Sequence, residues 1–405
     1  MSKDNIISKV IDANMCSGCG ICAGIVSNEK ISMQFSEDGY LRPVINKSIT
    51  EEENNILSQV CPGNVVNYDR VPTNEPVWGN IESSTIAYST DENIRHKGSS
   101  GGVLSQLLVY LLEKGEVDEI IHIGVSNENP LLNEIKRSNT KEQVLQNSGS
   151  RYSPSAPLAN LGKLLNENKK FALVGKPCDI AALRSYSRLD ERVSEKILYF
   201  FSFFCAGVPS IEGTYKILEN FNVKKEEVQS FRYRGEGWPG LTEVITSKNE
   251  KFNMKYDDSW GKILNRHLQP RCKVCIDGIG EFADISCGDG WFGNENGYPS
   301  FEESKGRSLV TTRTVKGQDL FERAVKEGHL SVDQSVSIEE IEKIQPYQSE
   351  RRRLLLSRII AMKVSRRRTP GYPKSLLVKS SQKISFKKKA KSFLGTTIRI
   401  KQGKM

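Results

Sequence analysis

The chain of 405 residues is 37% hydrophobic, 8% aromatic and 26% charged, a globular composition that leaves no case for a disordered or membrane-embedded chain. Its net charge of +9 conceals a division: residues 351–405 hold 18 Lys and Arg and no Asp or Glu, while the preceding 350 residues carry 40 basic and 49 acidic side chains. The opening MSKDNIISKV lacks the apolar run of a signal peptide, so the nine cysteines are expected to serve metal and redox chemistry in a reducing cytoplasm rather than disulfides.

The first motif is CSGCGICAGIVSNE, which sets Cys16, Cys19 and Cys22 at C-x2-C-x2-C spacing. Cys61, followed by Pro62, has the form of the last ligand in a bacterial-type ferredoxin run. The two-cluster version of that run would need cysteines at 26, 51, 54 and 57, where the chain has Val26, Glu51, Asn54 and Leu57. One ligand set is thus lost whole and the other kept whole. We read residues 1–75 as a ferredoxin-like domain with one [4Fe-4S] cluster on Cys16, Cys19, Cys22 and Cys61. The alternative is structural zinc, but thiolate zinc sites usually pair two C-x2-C knuckles, whereas three cysteines in seven residues wrap three corners of a cube. In place of the lost ligands, TEEENNILSQV opens with a capping box and predicts a helix. Residues 68–80, YDRVPTNEPVWGN, read as a linker.

Residues 76–345 alternate strand and helix patterns, which predicts an α/β core with sites at the carboxyl ends of its strands. STIAYST is strand-like. GSSGG, residues 98–102, is a small-residue loop before a helix, able to let backbone N–H groups approach a phosphate or a flat ring; an ordinary glycine-rich turn is the alternative. FALVG feeds a loop with Cys178, and ILYFFSFF precedes Cys205 in the same way. RCKVC adds Cys272 and Cys275, so Cys178, Cys205, Cys272 and Cys275 number enough for a second [4Fe-4S] cluster, with Cys287 left over. Buried structural cysteine is the other reading of Cys178 and Cys205. No G-x-G-x-x-G turn or Walker motif is present. His96, His122, His267 and His329 form no metal-spaced group, and none is assigned a catalytic role.

Residues 346–405 read as a basic tail. RRRLLLSRIIAMKVSRRR is a cationic amphipathic helix candidate and FKKKAKSFLGTTIRIKQGK is looser; together they suggest docking to anionic membrane on its cytoplasmic face, or a solvated extension. Nucleic acid is not expected, since no nucleic-acid fold signature accompanies the charge.

The single-cluster motif, GSSGGVLSQLL, VGKPCDIAALR, FFCAGVPS and RCKVCIDGIGEFADISCGDGW, in that order over residues 10–330, resemble the coenzyme F420 hydrogenase/dehydrogenase beta subunit family. Plant 7-hydroxymethyl chlorophyll a reductase and redox proteins encoded with bacterial polysaccharide enzymes are similar. The resemblance implies an α+β and α/β protein: a ferredoxin-like domain, then an α/β domain binding FAD beside the second cluster. It implies a flavin site at Gly98, Ser99, Ser100, Gly101, Gly102, Asp284, Ser286, Gly288 and Asp289, with Lys176 near the reduced flavin and Tyr152 near substrate. The function implied is electron transfer between clusters and FAD, to or from F420 or another small organic substrate, with a ferredoxin-like donor or partner redox subunit and a role in surface polysaccharide biosynthesis. The other reading is a non-catalytic electron-transfer subunit. No catalytic residue is assigned.

Overall fold

A computed structural model describes residues 5–69, 71–72, 74–293 and 299–405. Asn5 caps the first helix, Ile6–Asp12, accepting from the Ser8 N–H. The cysteine loop follows, then helix Ile21–Val26 and an antiparallel hairpin of β1 (Ile31–Phe35) and β2 (Leu41–Ile45). The helix foreseen at the lost ligand positions is Glu51–Val60, with the Thr50–Glu53 capping box formed and Leu57 and Val60 buried.

The body is built on β3 (Ser83–Ser89), β4 (Glu119–Val125), β5 (Asn133–Ser138), β6 (Phe171–Val174) and β7 (Ile197–Phe203). After these come β8 (Val228–Arg232), β9 (Thr242–Thr246), β10 (Lys251–Met254), β11 (Ile285–Asp289), β12 (Ser308–Thr312) and β13 (Leu330–Ser335). Eight of these form one sheet in the order β13-β3-β12-β11-β7-β6-β4-β5. Its centre, β11-β7-β6-β4, is parallel, with antiparallel neighbours on both sides. The central strands are covered on both faces, which is why FALV and ILYFFSF read as continuous apolar runs. One face carries helices Val103–Glu113 and Val315–Lys326; the other carries helix Pro177–Tyr186 and the amino-terminal part. The three-stranded sheet β8-β9-β10 packs with helix Ile211–Asn220 and had no sequence expectation.

Two expectations need correction. The supposed linker is packed: Val77 and Trp78 are buried with Ile86 and Ile279, and the Tyr68 hydroxyl donates to Glu281. Arg70 and Thr73 of that stretch lie outside the described residues. The basic tail is also a built part of the molecule. Leu355, Ile359, Met362, Leu376, Leu377 and Ile400 share an apolar cluster with Ile7, Val10 and Leu57. Gly371 exchanges backbone hydrogen bonds with Asn64 and Val66. The stretch read as looser forms the 16-residue helix Phe386–Lys401.

The arginines of RRRLLLSR answer acceptors of the body. Arg351 donates to the carbonyls of Cys205 and Cys272, Arg353 pairs with Glu342, and Arg358 donates to the Lys273 carbonyl. Arg352 pairs with Glu281 at 2.5 Å, with both side chains under 5% exposed. Removing one partner of such a pair strands a buried charge, at a cost of about 3–5 kcal/mol. Arg352→Met should therefore lower the unfolding free energy measured by denaturant titration by that amount, and adding Glu281→Gln should recover much of it; a loss under about 1 kcal/mol would mean the tail helices contribute little.

Candidate functional site

The outer cysteine loop is shaped by Gly18 and Gly20, both at positive φ. At Gly20 a Cβ would come within 2.8 Å of the Ala159 nitrogen, so the loop lies tight on the body. Cys16, Cys19, Cys22 and Cys61 line one apolar pocket with Ile6, Ile7, Val10 and Leu57. Burial pushes the Cys61 thiol up to about 11, and the neighbouring Cys16 adds to it. Burial likewise raises Cys22, with Cys19, Cys16 and Cys61 all acting on it. Burial raises Cys16 too, against the opposing charges of Arg42 and Arg271. The Gly18 N–H points to the Cys16 sulfur at 3.4 Å.

The inner set gathers at the carboxyl ends of neighbouring parallel strands. Cys178 follows β6 in the first turn of helix Pro177–Tyr186, and Cys205 follows β7. Cys272 and Cys275 reach them from helix Pro270–Lys273 and the turn after it. Burial raises Cys178, and Cys275 and Cys205 both act on it; burial pushes Cys205 up to about 12, reinforced by Cys272. The Val208 N–H donates to the Cys272 sulfur at 3.3 Å.

The eight cysteines named from sequence thus come together as two groups of four. Cys287 stands apart, in the apolar cluster on the opposite face of the sheet with Ala87, Val103 and Val310; burial alone pushes it up to about 12. Among the described residues no three His, Cys, Asp or Glu side chains converge on a single ion. Tetrahedral zinc, with Zn–S near 2.3 Å, would need its sulfurs about 3.8 Å apart. Both sets also carry the donors that an anionic group would need. Each has N–H donors aimed at sulfur and buried guanidinium nitrogens nearby, and Arg42 Nη2 and Arg271 Nη1 find no hydrogen-bond partner among the described residues.

The residues named for flavin divide. Ser99, Ser100, Tyr152, Gly288 and Asp289 meet at the carboxyl end of β11: Ser100 donates to the Gly288 carbonyl at 3.3 Å, and Ser99 bonds Ser150. Asp284 is at the other end of that strand, accepting from the Phe200 N–H, Arg184 and Thr314, so it fastens β7 and does not reach this locus. Ser286 is buried in mid-strand with its hydroxyl unpartnered among the described residues. Lys176 is buried, bonded to Asp179 at 2.8 Å and to Ser155, and its charge lies by Cys178 and Cys19. That places it between the two thiol sets.

Four neighbours of Asp289 were missed. Arg234, buried, forms a bidentate pair with it at 2.6 and 2.9 Å, and the Trp238 indole N–H donates to it at 2.8 Å. Tyr256 and Trp291 lie under the Arg234 guanidinium, and Trp238 stacks on Trp291 at 4.8 Å. Tyr152 joins this group at Tyr256, to which it is hydrogen-bonded, and packs on Tyr233 and Trp260. The signal was the stretch YRGEGWPG, in which Gly235, Gly237 and Gly240 all take positive φ.

Residues 168–337 match the family profile for the carboxyl-terminal part of the coenzyme F420 hydrogenase/dehydrogenase beta subunit, and residues 85–162 match the profile for its amino-terminal part. A coenzyme F420 hydrogenase subunit beta of Methanosarcina barkeri is 27% identical over 63% of this chain and 82% of its own length. A coenzyme F420-dependent sulfite reductase of Methanocaldococcus jannaschii is 25% identical over 85% of this chain and half of its own length. In structure, a chain of the F420-reducing [NiFe] hydrogenase complex from Methanosarcina barkeri is similar, with a TM-score of 0.56 and 22% identity over 75% of this chain and 99% of that one. It shares the fold.

The glycine loop tests one expectation. A branched side chain at Gly101 would be expected, from sequence, to fill ligand space and leave a folded, flavin-free protein. The structure points the missing Cβ at protein backbone instead: Ser308 N at 2.6 Å, Ala87 O and Arg307 Cα at 2.8 Å. Gly101→Val should therefore destabilise the whole domain by about 3 kcal/mol or more, read as a lowered thermal midpoint. A variant of unchanged stability would return the loop to the role read from sequence.

Proposed function

Because the chain belongs to the coenzyme F420 hydrogenase/dehydrogenase beta subunit family, we propose that it is an electron-transfer flavoprotein subunit that exchanges electrons with F420 or another small organic substrate and with a partner redox protein. The observation that carries this is the gathering of eight of the nine cysteines into two groups of four, largely shielded from solvent, each beside buried cations. In this reading Cys16, Cys19, Cys22 and Cys61 hold an outer [4Fe-4S] cluster, and Cys178, Cys205, Cys272 and Cys275 an inner one. When bound, the clusters carry single electrons, and FAD trades single electrons for pairs.

The chain's own residues set the conditions for this. Arg351 braces the two inner cysteine loops by bonding the carbonyls of Cys205 and Cys272. Phe204, next to Cys205 in the chain, lies where a Gly288 Cβ would stand, so the loop that carries Cys205 runs beside the end of β11. In this reading FAD would be held at the Asp289 locus, where Ser99, Ser100, Tyr152 and the Arg234–Asp289 pair supply hydroxyl, aromatic and charged groups. The relatives named as hydrogenase and formate dehydrogenase subunits support a subunit that works with a partner.

Anaerobic purification should give about eight iron and eight sulfide per chain. Cys61→Ser and Cys275→Ser should each leave about four, and Cys287→Ala should leave the full content. Zinc without sulfide would refute the assignment, and reduction of an artificial dye by F420H2 tests the substrate.

We infer in addition that the outer face of helix Phe386–Lys401 docks on anionic lipid. No helix of the described residues is long and apolar enough to cross a membrane. Lys387, Lys391, Leu394, Ile398 and Lys401 share one helical stripe, with Leu394 and Ile398 59% and 54% exposed beside Phe386 at 84%. Each lysine near an anionic surface is worth about 1 kcal/mol. Reversing Lys387, Lys391 and Lys401 to Glu should weaken sedimentation with acidic vesicles at least tenfold without changing thermal stability. Equal binding to neutral vesicles would overturn it.

A further inference from the structure

Arg271 joins the two thiol sets through one side chain. Its backbone precedes Cys272, a member of the inner set, while its guanidinium turns to the outer one. Nε and Nη2 donate to the Pro62 carbonyl at 3.3 and 3.0 Å, directly after Cys61. The residue is 2% exposed. Nη1 has no hydrogen-bond partner, and the side chain forms no ion pair with a carboxylate, among the described residues. Arg42, whose Nη2 is also without a partner among the described residues, lies by Cys16 of the outer set, and the other buried cations of this region are satisfied. Lys176 has Asp179, Arg352 has Glu281, and Arg351 is satisfied by the carbonyls of the inner set. Tyr372 lies 5.9 Å from the Arg271 guanidinium and fixes its own ring by bonding the Val274 carbonyl.

A buried guanidinium with an open donor and no carboxylate is costly unless another anion faces it. The anions within its reach are the thiolates of both sets. We propose that Arg271 is the shared counter-cation of the two cluster sites, a positioning residue that ties their potentials together. This rests on the two-cluster reading above. A cation beside a cluster favours its more negative, reduced form and so raises its potential. One cation placed between two clusters raises both, making each easier to reduce without opening a gap between them. An electron passing between them then meets no step created by an asymmetric charge.

The test is an EPR-monitored potentiometric titration of the full chain, with iron content measured on the same samples and Cys61→Ser protein used to assign the inner signal. Arg271→Gln should lower both midpoint potentials, each by at least a tenfold shift of its one-electron equilibrium, 59 mV. Arg42→Gln should move only the outer cluster and Arg351→Gln only the inner, which a general loosening of the fold would not reproduce. Full iron in Arg271→Gln with one potential or neither displaced overturns the proposal. Should that variant shed iron, Arg271→Lys decides: a lysine keeps the charge but lacks the fork needed to serve both sides, so one potential must fall while the other holds, and two unchanged values overturn the proposal. Wild-type protein without iron-sulfur would instead remove the reading on which the proposal stands.

Discussion

The structure depends on balancing buried charge around two groups of thiols. Eight sulfurs able to become anions sit in or near the interior, and Arg42, Lys176, Arg271 and Arg351 are buried around them. Neither population is tolerable in a low-dielectric interior alone, because an unpaired buried ion costs several kcal/mol. Together they explain why three stretches far apart in sequence are packed as one body. The outer loop lies against the body through Gly20 and Ala159, and the carboxyl-terminal helices reach across to deliver Arg351 and Arg352. A basic segment without acids is therefore, on its inner side, a supply of counter-ions.

Topology decides where that chemistry gathers. In a parallel sheet the carboxyl ends of adjacent strands open on the same side, and the chain leaves each strand into a loop there. β6 and β7 are neighbours, so Cys178 and Cys205, separated by 27 positions in sequence, are placed side by side. β11 is next to β7, which sets Gly288 and Asp289 beside Phe204 and Cys205. The antiparallel strands β12 and β3 bring Ser308 and the Ser99–Ser100 loop to the same end. Asp284 shows the same rule from the other side: five residues of extended chain carry it to the opposite end of the strand, where it anchors β7.

Much of this was legible in the sequence, and the failures have physical causes. Cysteine spacing and the Thr50–Glu53 capping box are local signals, read without knowing the fold, and the outer loop and helix Glu51–Val60 follow them. Strand, loop and helix alternation located Cys178 and Cys205 at strand ends. Burial of single charges is not local. Arg351 and Arg366 look alike in sequence, yet one bonds carbonyls of the inner cysteine loops and the other is exposed. Gly101 was read as ligand space because a missing side chain does not say what it makes room for; here that is the backbone of β12 and β3. Arg234 went unread because its partner, Asp289, is 55 residues away.

The split use of the carboxyl-terminal segment follows from the helices that carry it. Helix Leu355–Val364 packs along helix Phe386–Lys401, so each has an inner stripe and an outer one. Inner positions hold Leu355, Ile359, Met362, Thr396 and Ile400, all buried. Outer positions hold Val364, Leu394, Ile398 and most of the lysines, so the apolar side chains there stay more than half exposed. Packing requires the first set and is indifferent to the second. A solvated surface needs its charges but gains nothing from Phe386 or Ile398, and an unmixed positive charge beside them repels itself. An anionic apolar boundary compensates both features at once, which is why the outer stripe is read as a contact surface and the inner one as part of the core that holds the thiols.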